Sequence, residues 1–184
     1  TARSKSCYDI INEGLIMVEI IRAGIQDSEC VYELTKRAFS VYKTALGESK
    51  FVPVALLETL DDVKNDIINH NVFIAYMDGK PVGSIRYKSL SDKLAYIYRF
   101  GVDPELNNNG VGSSLINAVI DECAQKGYKA IALHANAKFF KLAKYYYGRE
   151  FYVHSTDFSK GYIRALFVKD LNGEDVDLSP AFKL

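Results

Sequence analysis

Apolar residues recur along this chain in short β-branched runs and in longer stretches with helical spacing. Residues 15–21 are apolar and β-branched and predict a first strand. Asp27 or Ser28 then caps a helix reaching Thr44, because Cys30, Val31, Leu34, Ala38, Val41 and Tyr42 share one face. Residues 47–53 read as a loop and 58–68 as a second amphipathic helix. A strand over 71–77 meets Asp78-Gly79, a pair that favours a two-residue hairpin, and residues 81–87 form the returning strand. Ser91-Asp92 turns the chain into a long strand over 94–102. Leu115, Ile116, Val119, Ile120 and Cys123 mark a helix over 113–126, which Gly127 stops. A buried strand over 129–134, a helix over 137–147 and a hairpin of 151–155 with 161–169 complete the pattern. The order β-α-α-β-β-β-α-β-α-β-β predicts a mixed α/β (α+β) fold, with a central sheet of about seven strands flanked by four helices.

Composition narrows the class. With 184 residues, 48% hydrophobic and 25% charged, the chain has the make-up of a globular domain, here expected over 17–184. Residues 1–16 are largely polar, lack a signal-peptide core and precede a start-like Met17, so they read as a leader or an appended extension. Net charge is zero, which favours neither nucleic acid nor an anionic membrane as partner, and no apolar run is long enough to span a bilayer. Cys7, Cys30 and Cys123 are odd in number and form no CxxC, which fits a reducing cytoplasm and no zinc site. His70, His134 and His154 have no metal-ligand spacing, so no metal is expected.

The segment with the most chemistry is Asn107-Asn108-Asn109-Gly110-Val111-Gly112, between the long strand and the helix that follows. A glycine turn feeding a helix N-terminus offers backbone N–H groups and a positive dipole end to a phosphate. No Lys-Ser or Lys-Thr follows, so a Walker loop is excluded. The dinucleotide pattern GxGxxG fails at Leu115. The stretch from Tyr98 through Val102-Asp103-Pro104 to Gly112 resembles motif A of the GCN5-related N-acetyltransferase (GNAT) family, V-x-P followed by [QR]-x-x-G-x-[GA], with Asn107 in the Gln/Arg place. Gly79-Lys80-Pro81-Val82-Gly83 resembles the family's G-x-x-V/I-G hairpin. The run from Leu142 to Phe151 resembles its Y-x-x-x-G-F signature, with Glu150 in the glycine place. The resemblance extends over about 17–171, element for element.

That resemblance implies acetyl-CoA as cosubstrate, without a metal, and transfer of its acetyl group to an acceptor amine in a ternary complex. The backbone of Phe100, Gly101 and Val102 would pair with the pantetheine arm and polarise the thioester carbonyl. Asn107, Asn108, Asn109, Gly110, Val111, Gly112 and Ser113 would hold the pyrophosphate. Asn136 would either contact the cofactor or cap the next helix. Tyr146 aligns with the tyrosine that protonates the departing thiolate; packing is the other reading of three successive tyrosines. The central strand lacks the family's frequent base glutamate, so the base is open, with Glu58 one carboxylate to consider. Arg86, on one strand face with Ser84, would hold an acceptor carboxylate or be a solvated strand arginine. The acceptor is expected to be a small-molecule primary amine. The alternatives are a protein or peptide amine, or a non-catalytic acetyl-CoA-binding module. A homodimer is compatible with the sequence.

Overall fold

The computed structural model describes residues 18–45, 52–106 and 109–184. Seven strands are present: β1 (Val18–Arg22), β2 (Asn71–Met77), β3 (Lys80–Ser89), β4 (Leu94–Val102), β5 (Ala130–Asn136), β6 (Tyr152–Asp157) and β7 (Arg164–Asp170). They form one sheet in the order β1-β2-β3-β4-β5-β7-β6. Six α-helices occur among the described residues: α1 (Ser28–Ala45), α2 (Val54–Leu57), α3 (Leu60–Asn69), α4 (Val111–Gln125), α5 (Phe140–Tyr147) and α6 (Ser179–Phe182). The seven strands are as expected. The two helices beyond the expected four, α2 and α6, have four residues each, too few to show a helical period.

Local chemistry sets the boundaries. The helix expected over 58–68 starts instead at Leu60, because Thr59 is its N-cap: its hydroxyl accepts the Asp62 N–H, and the Asp62 carboxylate accepts the Thr59 N–H at 2.8 Å. Glu58 is thereby left outside the helix, in extended backbone and buried. Between β5 and α5, Asn136 ends the strand and its Oδ1 accepts the Lys138 N–H at 2.9 Å, which delays the helix to Phe140.

The described residues gather into two compact units interleaved in sequence. The first comprises those up to Arg86 together with Arg99–Val119. Here β1 and β2 pair antiparallel, from Val18↔Met77 to Arg22↔Phe73. Val31 and Leu34 of α1, Val63 of α3 and Val72 and Ile74 of β2 make one core cluster. Asp78 (φ 50°) and Gly79 (φ 74°) are both left-handed, as a type I′ hairpin turn requires. A Cβ on Gly101 would lie 2.7 Å from the Ala38 Cβ, so β4 meets α1 at a point only glycine permits.

The second unit comprises Tyr87–Tyr98 and Ile120–Leu184. Its β4 residues pair in parallel with β5, from Leu94↔Ala130 to Ile97↔Leu133. Strand β5 pairs antiparallel with β7, and β7 with β6, with an irregularity between Val153 and Ser155. Leu94, Tyr96, Ala132, Leu166 and Val168 form a core that is covered by Val176, Leu178, Ala181 and Leu184.

Candidate functional site

In the first unit, β4 ends at Val102 and Asp103 donates its N–H to the Val82 carbonyl at 2.7 Å. A single 3-10 turn over Pro104–Leu106 follows. Asn107 and Asn108 lie outside the described residues, as do residues 1–17 and 46–51. Asn109 is exposed, and Gly110 adopts φ 78°, a backbone angle that suits glycine. A Cβ built on Gly110 would meet nothing within 4 Å, so the turn faces open space. Helix α4 begins at Val111, and its first intrahelical bond runs from the Ser114 N–H to the Gly110 carbonyl at 2.9 Å. The preceding N–H groups, of Val111, Gly112 and Ser113, therefore belong to the turn that helix geometry directs outward at an N-terminus. The Val111 side chain is buried and anchors this turn, whereas the Ser114 hydroxyl is spent on the Gly110 carbonyl. The arrangement fits an oxyanion such as a phosphate.

Just before this segment, Arg99 also has positive φ, 51°, inside β4. Phe100, Gly101 and Val102 follow it and are half-buried.

Arg86 differs from expectation. It is 0% exposed, neither solvated nor open to an outside carboxylate. Its Nη1 donates to Glu58 Oε1 (2.9 Å) and Asp66 Oδ2 (2.7 Å), and its Nη2 to Glu58 Oε2 (2.9 Å) and the Thr35 hydroxyl (3.0 Å). All four terminal donors are thus taken by the protein's own chain, which corrects the reading of Arg86 as an acceptor-binding arginine. Glu58 also accepts from Arg99 Nε at 3.0 Å. Both oxygens of this buried carboxylate are thus occupied by arginine donors.

In the second unit, α5 places Tyr146 in the core, 6% exposed, against Phe151 and Phe167 with ring centroids 5.8 and 5.2 Å away. Its neighbour Tyr145 is pushed up to about 12 by burial, partly opposed by Arg149, whose guanidinium stacks 3.6 Å from the ring. Tyr147 is exposed. Glu150 has φ 63°, which explains why the resembling signature carries glycine there, and its carboxylate bonds Lys169 at 2.7 Å.

A second group in this unit was not singled out from the sequence. Tyr96 Oη lies 2.9 Å from His134 Nδ1, on neighbouring strands. His134 Nε2 lies 3.8 Å from Asp157, whose two oxygens both accept from Arg164 Nε at 2.9 Å. Burial and then Arg164 depress the imidazole to about 4, although Asp157 pulls the other way. His134 is therefore neutral at pH 7, and with its proton on Nε2 it accepts the Tyr96 hydroxyl hydrogen at Nδ1. Desolvation raises the Asp157 carboxyl, but hydrogen bonds from Ser159 and Arg164 outweigh it and hold it well below the usual carboxylate range.

The model of the acetyltransferase (GNAT) family matches residues 31–151. The chain belongs to this family. Solved acetyltransferases share its fold at low identity. PaiA N-acetyltransferase from Thermoplasma acidophilum, solved with coenzyme A, is 18% identical, with a TM-score of 0.74 over 84% of this chain and 99% of that one. Ard1 from Thermoplasma volcanium is 18% identical, with a TM-score of 0.67 over 84% and 98%. The ribosomal-protein-S18-alanine N-acetyltransferase of Escherichia coli is 17% identical, with a TM-score of 0.63 over 88% and 99%. No curated protein matches the chain. In this GNAT-family chain, no group of three or more His, Cys, Asp or Glu side chains among the described residues is placed to hold a metal ion. No helix among them is long and apolar enough to cross a membrane.

Proposed function

We propose that the protein is an N-acetyltransferase that moves the acetyl group of acetyl-CoA to the primary amine of a small-molecule acceptor. The observation that carries this is the left-handed Gly110 turn opening helix α4, in a chain of the GNAT family. Acetyl-CoA supplies the activated acetyl group as a thioester. The Gly110 turn and the backbone N–H groups of Val111, Gly112 and Ser113 hold its pyrophosphate, with Asn107, Asn108 and Asn109, their neighbours in sequence, assigned to the same role. The backbone of Phe100, Gly101 and Val102 aligns the pantetheine arm and polarises the acetyl carbonyl. Asn136, whose carbonyl oxygen already caps Lys138, contributes its side-chain amide to the cofactor. Tyr146 returns a proton to the departing sulfur.

The test is calorimetric titration with acetyl-CoA, then thiol release measured with a panel of small amines and, separately, acetylation of peptides followed by intact mass. Binding with turnover of small amines is expected. Peptides modified while small amines are ignored would move the acceptor to the protein class. Binding without turnover of either would make the protein a cofactor-binding module, and no binding would remove the reading altogether.

A further inference from the structure

We propose that Glu58 is a positioning residue that locks the bend in β4 through Arg99, and so sets the direction of the Phe100, Gly101 and Val102 backbone. The inference rests on the assignment of that backbone to the acetyl thioester. Arg99 has φ 51° within a strand, a conformation that costs an arginine free energy and persists only where surrounding contacts impose it. Those contacts are visible. Arg99 Nε donates to Glu58 Oε1 at 3.0 Å, and the Glu58 side chain is only 5% exposed. Glu58 cannot swing away, because both its oxygens accept from Arg86 at 2.9 Å, and Arg86 is pinned in turn by Asp66 and Thr35. The bend is fixed on its other side by Gly101, whose backbone rests on Ala38. The strand is thus held between an ion-pair network and a helix at the two residues flanking Phe100. The carboxylate acts on the reaction through Arg99 and not as a proton acceptor.

The clamp has a signature that ordinary packing lacks: glycine adopts φ near 50° without help. Arg99→Ala should lower kcat about 10- to 100-fold while the KM for acetyl-CoA stays within about threefold, because the pyrophosphate turn is untouched. Arg99→Gly should recover at least about tenfold of that loss. Both variants leave the Glu58–Arg86 pair intact and are expected to fold. Glu58→Gln also weakens the buried pair with Arg86, so it is compared per folded molecule, where it should mimic Arg99→Ala and add little in the Arg99→Gly background. If Arg99→Gly is as impaired as Arg99→Ala, the side chain itself acts on substrate and the proposal fails. Wild-type rates in both variants also overturn it. Crystal structures of the variants give a readout independent of turnover. Position 99 should leave the left-handed region in Arg99→Ala and keep it in Arg99→Gly. A retained φ near 50° in Arg99→Ala sinks the clamp even if the acetyl-transfer reading stands. A chain that binds no acetyl-CoA sinks that reading while the backbone result still decides the clamp.

Discussion

Arg86 shows how the charged end of one side chain can be committed to holding a fold together. Its four terminal N–H donors meet two carboxylates and a hydroxyl, and buried charge of this kind is tolerated only while each partner is present. Arg86→Ala leaves buried Glu58 with Arg99 alone and takes one of its partners from Asp66, and should cost about 3–5 kcal/mol in urea denaturation, appearing as lost stability before any change in acceptor KM. A loss under about 1 kcal/mol would mean that the two acids find other partners easily. Tyr146 contrasts with it, since its ring serves packing and only its hydroxyl is assigned to chemistry. Tyr146→Phe should keep the melting temperature and lower kcat about 10²-fold, whereas Tyr145→Phe should not. The reverse result would hand the acid role to Tyr145. At this scale the sequence is legible where chemistry is local. The Thr59–Asp62 capping box and the Asp78-Gly79 turn are closed between near neighbours. Alternation in β3 places Arg86 on a face, but whether that face is covered depends on Thr35, Glu58 and Asp66, which lie far along the chain and meet it only after folding.

Among elements, the glycine turn into α4 is the most exacting. A β-branched side chain at φ 78° is strained, so Gly110→Val should weaken acetyl-CoA binding in calorimetry by about tenfold or more while α4 and its buried Val111, Leu115 and Val119 persist. Unchanged affinity in both Gly110→Val and Gly112→Val would remove the pyrophosphate assignment. Strands β4, β5, β6 and β7 together bring Tyr96, His134, Asp157 and Arg164 into one cluster, with Lys160 also acting on the imidazole. An unfolded imidazole protonates near 6.5 and the folded one only near 4, so on acidification the unfolded chain takes up the proton first. Stability should therefore be full above about pH 6.5 and fall by on the order of 3 kcal/mol towards pH 4. Chemical denaturation of wild type and His134→Gln across this range checks it, the variant's profile being flatter. This cluster escaped the sequence because its hydrogen bond joins Tyr96 to a histidine diagonally across a parallel pair, in which Tyr96 stands opposite Ala132. Only the register of the two strands reveals that contact.

At the scale of the whole molecule, periodicity and turn chemistry foretold the seven strands and the four longer helices, because elements of that length repeat their pattern several times. The covering of the second unit's core by the segment after β7 was not foretold, since Val176, Leu178, Ala181 and Leu184 are too sparse to show a period. Removing residues 176–184 should uncover that core, costing roughly 3 kcal/mol and lowering Tm by roughly 6–12 °C in calorimetry. An unchanged Tm would show that the segment adds no stability.

The interleaving of the two units has a further consequence, one of timing. A ribosome has made the whole sequence of the first unit once Val119 is added, but by then it has also made Tyr87–Tyr98, which belongs to the unit still to come. Leu94, Ala95, Tyr96 and Ile97 must wait for Ala130 through Leu133 before their parallel ladder can close. At about 5–20 residues per second, that apolar strand stands without its β5 partner for on the order of seconds. During that interval the nascent chain is most open to aggregation, and a ribosome-associated chaperone has most to shield.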